Sequence, residues 1–156
     1  MVEHPPCSNV EIKNFNVQNL SEIMSIEGLC FEPKMQYSEL VFLEYVERKA
    51  IFRTILCEGN IVGYSIADVE NSTCHIVSIA ILPEYRNRGL GSLLLKDCLS
   101  ECCRRGAKRA ILEVMVGNKP AIRMYLKFGF RIVGFIRGYY GCRDAYLMAK
   151  ELVERV

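Results

Sequence analysis

The chain has 156 residues, of which 51% are apolar and 24% charged, and its formal net charge is +2. That is ordinary for one soluble globular domain with a real hydrophobic core. So small a charge argues against nucleic-acid or anionic-membrane binding, and no apolar run approaches membrane length.

Residues 1–9 read as a loose polar tail and residues 10–156 as a single domain. The opening Met-Val-Glu-His-Pro-Pro carries no apolar signal region, so the expected location is the cytoplasm. Val10 to Asn16 reads as a first strand. Leu20, Ile23, Met24 and Glu27 recur at helical spacing, which predicts a helix over 18–29 that Glu32-Pro33 interrupts. A second helix is expected over 38–48, with Ser38 as its N-cap and Val41, Phe42, Tyr45 and Val46 facing the core.

Three strands follow in hairpin order, 51–57, 61–69 and 73–82, joined by turns at Glu58-Gly59-Asn60 and Glu70-Asn71-Ser72. A Leu-rich helix is expected over 89–105, with Leu90, Leu94 and Cys98 on one face and Gly106 closing it. Residues 109–116 read as a strand. Asn118 opens a helix with Pro120 in its first turn, ending near Gly129. Strands over 130–136 and 143–150 complete the chain. The order β-α-α-β-β-β-α-β-α-β-β predicts a mixed α/β fold, a sheet of about seven strands with four helices on its two faces.

The eight cysteines include no Cys-x-x-Cys pair, and the only histidines are His4 and His75, so no metal site is expected. Most of the cysteines lie inside apolar segments and read as small buried hydrophobes in a reducing compartment, with one disulfide left open for a thermophilic source.

The most informative stretch is VSIAILPEYRNRGLGSLLL, residues 77–95. An apolar strand ends at Pro83, and a basic, glycine-containing loop leads into a helix. Helix starts leave backbone N–H groups unpaired and carry partial positive charge, so the arrangement suits a phosphate. Neither the Gly-x-x-x-x-Gly-Lys-Ser/Thr nor the Gly-x-Gly-x-x-Gly fingerprint is present. The pattern is Arg-x-x-Gly-x-Gly, on Arg86, Gly89 and Gly91.

This loop, with the order of elements, resembles the GNAT superfamily of N-acetyltransferases, over about residues 10–150. The segments LEVMVGNKPAIRMYLKFGF (112–130) and RGYYGCRDAYLMAKEL (137–152) resemble the protein N-terminal acetyltransferases within it. The bacterial ribosomal-protein-alanine enzyme and the archaeal broad-specificity enzyme carry the same signature. The resemblance implies acetyl transfer from acetyl-CoA to the free N-terminal amine of a polypeptide, ribosomal or otherwise nascent, with a ribosome or auxiliary subunit as a further partner. It implies a diphosphate seat at Arg86, Asn87, Arg88, Gly89, Leu90, Gly91 and Ser92, and pantetheine pairing along the backbone of Ile79, Ala80 and Ile81.

By the same resemblance Glu113 is the general base, sharing with His75 a water that accepts the amine proton. Tyr125 protonates the leaving thiolate, and Asn118 contacts the pantetheine arm while also reading as an N-cap. Phe31, Glu32, Tyr139 and Tyr140 are expected to line the peptide site. In one respect the chain departs from the archaeal pattern: Gly141, Cys142 and Arg143 precede Asp144, a shorter and less acidic turn, so substrate preference does not carry over. Two other readings stay open. One is an acetyltransferase of another amine, such as a protein lysine, a polyamine or an aminoglycoside. The other is a non-catalytic acyl-CoA-binding subunit.

Overall fold

The computed structural model describes residues 7–139, 141 and 143–152. Seven strands form one sheet: β1 (Val10–Asn14), β2 (Ile51–Cys57), β3 (Asn60–Glu70), β4 (Thr73–Ile81), β5 (Arg109–Met115), β6 (Arg131–Ile136) and β7 (Ala145–Glu151). Their spatial order is β1-β2-β3-β4-β5-β7-β6. Four helices accompany them: α1 (Leu20–Cys30), α2 (Glu39–Glu47), α3 (Leu90–Arg104) and α4 (Lys119–Lys127). The expected mixed α/β architecture is present, with element ends displaced by a residue or two.

The sheet is mixed. β4 and β5 run parallel, Thr73–His75 against Arg109–Ile111. The pairs β1-β2, β2-β3, β5-β7 and β6-β7 are antiparallel. Glu58 (φ 50°) and Gly59 (φ 81°) close the β2-β3 hairpin between Cys57 and Asn60. Two successive positive φ angles define the type I′ turn, whose twist matches that of the flanking strands. Asn71 (φ 53°) and Ser72 (φ 66°) turn the chain the same way between β3 and β4.

The chain divides into two units. The first holds the described residues up to Ala67 together with Ser78–Cys98. Its core includes Ile55, Val62, Ile81, Leu90 and Leu94, all buried. Burying a side chain of this size stabilises by about 1.5–3 kcal/mol. A second cluster is aromatic: Phe42 meets Tyr64 edge-on at 5.7 Å, and Phe52 lies 6.0 Å from Tyr64. Leu90, Leu94 and Cys98 are buried together on one face of α3, as their spacing predicts. Of the four α2 residues expected to face the core, Phe42 is fully buried and Val41, Tyr45 and Val46 are half-buried.

The second unit holds residues 68–77 and those from Leu99 onward. Along β5, Ala110, Leu112 and Val114 are buried, while Ile111, Glu113 and Met115 alternate with them on the other face and are half-buried. β7 pairs with β5 along its whole length, from Arg109↔Glu151 to Met115↔Ala145.

Two expectations are corrected. Cys7–Cys57 and Cys74–Cys102 are disulfides, so four of the cysteines are cross-links rather than small hydrophobes. Strand pairing brings β1 beside β2 and carries Cys7, just ahead of β1, to Cys57; a cysteine's sequence neighbours do not reveal that approach. Cys30, Cys98 and Cys103 are free thiols, and Cys142 lies outside the described residues. Ser38 does occupy the N-cap position of α2, but its side chain makes no capping hydrogen bond.

Candidate active site

In the first unit, β4 ends at Ile81 and a 3-10 turn, Pro83–Tyr85, leads to the loop before α3. Pro83 fits the first turn because the N–H it lacks has no partner there. Asn87 (φ 62°) and Gly89 (φ 78°) are both left-handed. A Cβ added at Gly89 would meet nothing within 4 Å, so the backbone there is open to a ligand. Turns of this kind gather successive N–H groups into an anion-binding concavity. The start of α3 adds its own unpaired donors and positive dipole end.

Arg86 Nε donates to the Ile81 carbonyl at 2.9 Å, which ties the loop to the strand end. Cys30 Sγ approaches the same carbonyl at 3.4 Å. Arg88 stacks on the Tyr85 ring at 5.3 Å and donates to the Glu84 carbonyl at 3.1 Å. Asn87 and Gly89 are exposed, Gly91 and Ser92 half-buried and Leu90 buried. Of the strand residues, Ala80 and Ile81 are buried and Ile79 half-buried. The donor set is backbone N–H groups flanked by two guanidinium groups, which fits a diphosphate.

Also in this unit, Phe31 caps the C-terminus of α1, and its N–H donates to the Glu27 carbonyl at 3.1 Å. Glu32 is exposed at the start of the next turn.

In the second unit, His75 Nε2 lies 2.7 Å from Glu113 Oε2. Parallel register sets His75 beside Ile111, and the two-residue period puts Glu113 on the same face one step further. The side chain of His75 is 37% exposed and that of Glu113 16% exposed, so the pair is within reach of a substrate yet largely shielded. The two groups bond directly. Either ring nitrogen of the histidine can carry the proton, so the pair can pass one along.

Tyr125 is buried in α4, its ring edge-on to Phe130 at 5.8 Å. Asn118 caps α4, its side-chain oxygen accepting from the Ala121 N–H at 3.4 Å. The N-cap reading is thus observed. Tyr139 is exposed in the turn after β6, and Tyr140 lies outside the described residues. Asp144 Oδ1 accepts the Gly138 N–H at 2.8 Å and closes that turn from the far side, a role the sequence did not suggest. Glu27 shares the spacing of the apolar stripe of α1 and is buried, but as a hydrogen-bonded carboxylate.

Among the described residues no group of His, Cys, Asp and Glu is arranged to hold a metal, and no helix is long and apolar enough to cross a membrane.

The model of the acetyltransferase (GNAT) family matches residues 20–130. An N-alpha-acetyltransferase of Sulfurisphaera tokodaii is 33% identical over an alignment of 156 positions, covering 90% of this chain and 92% of that one. The crystal structure of the ribosomal-protein-S18-alanine N-acetyltransferase from Escherichia coli superposes with a TM-score of 0.85 at 25% identity, covering 95% of this chain and 97% of that one. Naa50 of Arabidopsis thaliana, solved with the bisubstrate analogue CoA-Ac-MVNAL, superposes with a TM-score of 0.82 at 26% identity, over 92% and 99% of the two chains.

Proposed function

Because the chain belongs to the acetyltransferase (GNAT) family, whose members are acyltransferases that use acetyl-CoA, we propose that it acetylates the free N-terminal amine of polypeptides. The observation that carries this reading is the His75–Glu113 contact at 2.7 Å. An α-amine has a pKa of about 8 and a lysine amine about 10.4, so a modest base serves the first far better than the second. The names of the relatives agree, since they act on N-terminal amines or on an alanine of a ribosomal protein.

The loop from Arg86 to Ser92 holds the diphosphate through its N–H groups, and the backbone of Ile79, Ala80 and Ile81 lies along the pantetheine like an added strand. Bound there, acetyl-CoA supplies a thioester carbonyl. Glu113, acting with His75, takes the proton of the attacking amine. Tyr125 Oη holds a proton for the departing sulfur, and a thiol pKa of about 8.5 makes that help useful but not indispensable. A backbone N–H of β4 steadies the negative charge that develops on the carbonyl oxygen. For the acceptor peptide the assigned residues are Phe31 and Glu32 in the first unit and Tyr139 in the second, and Asn118 is assigned a contact to the pantetheine arm.

Nascent or ribosomal N-termini are the substrate class, a ribosome or an auxiliary subunit the further partner, and the cytoplasm the location. The two disulfides fit that location if the source is hyperthermophilic, where intracellular disulfides are common.

A panel of short peptides with free or blocked N-termini, incubated with acetyl-CoA, tests the reading. Transfer to free N-termini alone is expected. Transfer to the lysines of blocked peptides would reassign the acceptor, and binding without transfer would make the protein a non-catalytic subunit.

A further inference from the structure

Glu27 takes no part in the chemistry assigned above, yet it is 2% exposed in the middle of an apolar stripe. Burying a carboxylate is costly unless its oxygens find donors. Here each oxygen has one, from a different element. Oε1 accepts the Tyr37 N–H at 3.1 Å, and Oε2 accepts the Tyr64 hydroxyl. Tyr64 Oη in turn lies 3.1 Å from Ser78 Oγ on β4, next to Ile79. Burial and the neighbouring Glu27 push the Tyr64 phenol well above its ordinary pKa, which keeps it a donor.

Phe31 to Tyr37 makes up all but the last residue of the segment between α1 and α2, and both ends of this stretch rest on Glu27. The Glu27 main-chain carbonyl accepts the Phe31 N–H, and the Glu27 side chain accepts the Tyr37 N–H. Within the segment, Gln36 Nε2 donates to the Phe31 carbonyl at 2.9 Å.

We propose that Glu27 is the positioning residue of the acceptor side: it clamps the 31–37 segment at both ends and so holds Phe31 and Glu32 for the incoming peptide N-terminus. The inference rests on the N-terminal acetyltransferase reading. It assigns Glu27 no contact with substrate. Its effect passes through the segment, so it governs how well the peptide is held and leaves the proton transfers at His75, Glu113 and Tyr125 alone.

The test compares steady-state kinetics of the wild type, Glu27→Gln and Tyr64→Phe, with a free-N-terminus peptide and acetyl-CoA each varied. Glu27→Gln keeps the shape but puts an N–H donor where one of two acceptors stood. It is expected to raise the KM for peptide about tenfold while kcat and the KM for acetyl-CoA stay within about twofold, the pattern of lost uniform binding. Tyr64→Phe leaves the Tyr37 contact intact and is expected to raise the peptide KM by less than about threefold. A purely structural role would lower the melting temperature without this split, and a folded Glu27→Gln with a wild-type peptide KM overturns the proposal.

If Glu27→Gln does not fold, Gln36→Ala takes its place. A peptide KM raised by about threefold supports the clamp, and an unchanged one overturns it. Should the wild type acetylate no free N-terminus, the parent reading fails, and hydrogen exchange at the Tyr37 amide still reports on the clamp. Exchange about tenfold faster in Glu27→Gln upholds the clamp, and equal exchange removes it.

Discussion

His75 Nε2 and Glu113 Oε2 lie 2.7 Å apart, although the residues are 38 positions apart in the chain. Parallel pairing of β4 with β5 produces the contact, with each side chain on the half-buried face of its strand. If the pair takes the amine proton, both members are needed. Glu113→Gln and His75→Ala are each expected to lower kcat/KM by about 10²–10⁴-fold, the usual range for a general base. Groups that act as a unit are not additive, so the double variant should be little worse than the poorer single one. Wild-type kcat/KM in both single variants rejects the assignment.

Tyr125 separates packing from chemistry. Its ring contributes to the buried contact with Phe130, and Tyr125→Phe keeps that ring. The ring packing should therefore persist, whereas kcat should fall by about tenfold or more if the hydroxyl serves as an acid. Thermal unfolding and single-turnover kinetics on the same sample measure the two effects. Wild-type turnover in the variant removes the acid role.

Local signals made most of the fold legible. The two-residue turns at Glu58-Gly59 and Asn71-Ser72 and the cap at Asn118 depend on residues within a few positions of one another. Glu113 stood out because a carboxylate interrupts an apolar strand, and the alternation along β4 and β5 put His75 on a matching face. The relationships that escaped are long-range. Cys7 and Cys57 are 50 positions apart and Cys74 and Cys102 are 28 apart. The clamp at Glu27 was hidden because its donors lie 10 and 37 positions away. A glutamate on an apolar stripe was the one available signal, and it needed the fold to supply its partners.

Gly63 allows β3 to approach β4 closely. A Cβ there would lie 2.6 Å from the Ala80 carbonyl oxygen and 2.6 Å from Ile81 Cδ1. The Ile81 methyl can rotate away, but the carbonyl belongs to the backbone. Gly63→Ala should therefore cost about 1–3 kcal/mol of stability, the usual penalty of overpacking. It should also weaken acetyl-CoA binding, because Ala80 and Ile81 are the strand residues proposed to line the pantetheine. Denaturant unfolding and calorimetry with acetyl-CoA report on the two consequences. Full stability in the variant would contradict the close approach.

The described cysteines divide into four in bridges and three free thiols. In the unfolded, unreduced chain, Cys7, Cys57, Cys74 and Cys102 should resist alkylation while Cys30, Cys98 and Cys103 react. In the native protein Cys103 is exposed and should be modified. Cys98 should not, because burial first of all pushes its thiol up to about 12 and only the thiolate is a good nucleophile. Reduction should cost about 2–4 kcal/mol per bridge, as expected for loops of this size. Peptide mapping before and after reduction decides each point, and alkylation of Cys7 without reductant would disprove the first bridge.

Glu27 also predicts how stability varies with pH. Burial raises its pKa, and the hydrogen bonds from Tyr64 and Tyr37 oppose the rise without cancelling it. The native state therefore holds this proton more tightly than the unfolded chain does. Stability from that difference is fully present below the unfolded pKa of about 4.3 and is lost as pH rises through the raised native value. Glu27→Gln does not titrate, so subtracting its unfolding free energy from that of the wild type isolates the effect from the other carboxylates. The difference should fall as pH goes from acid toward neutral and level off above the native pKa. A difference that rises over the same interval would mean that the donors from Tyr37 and Tyr64 outweigh desolvation, and the buried carboxylate would then stabilise the fold at neutral pH instead of costing it.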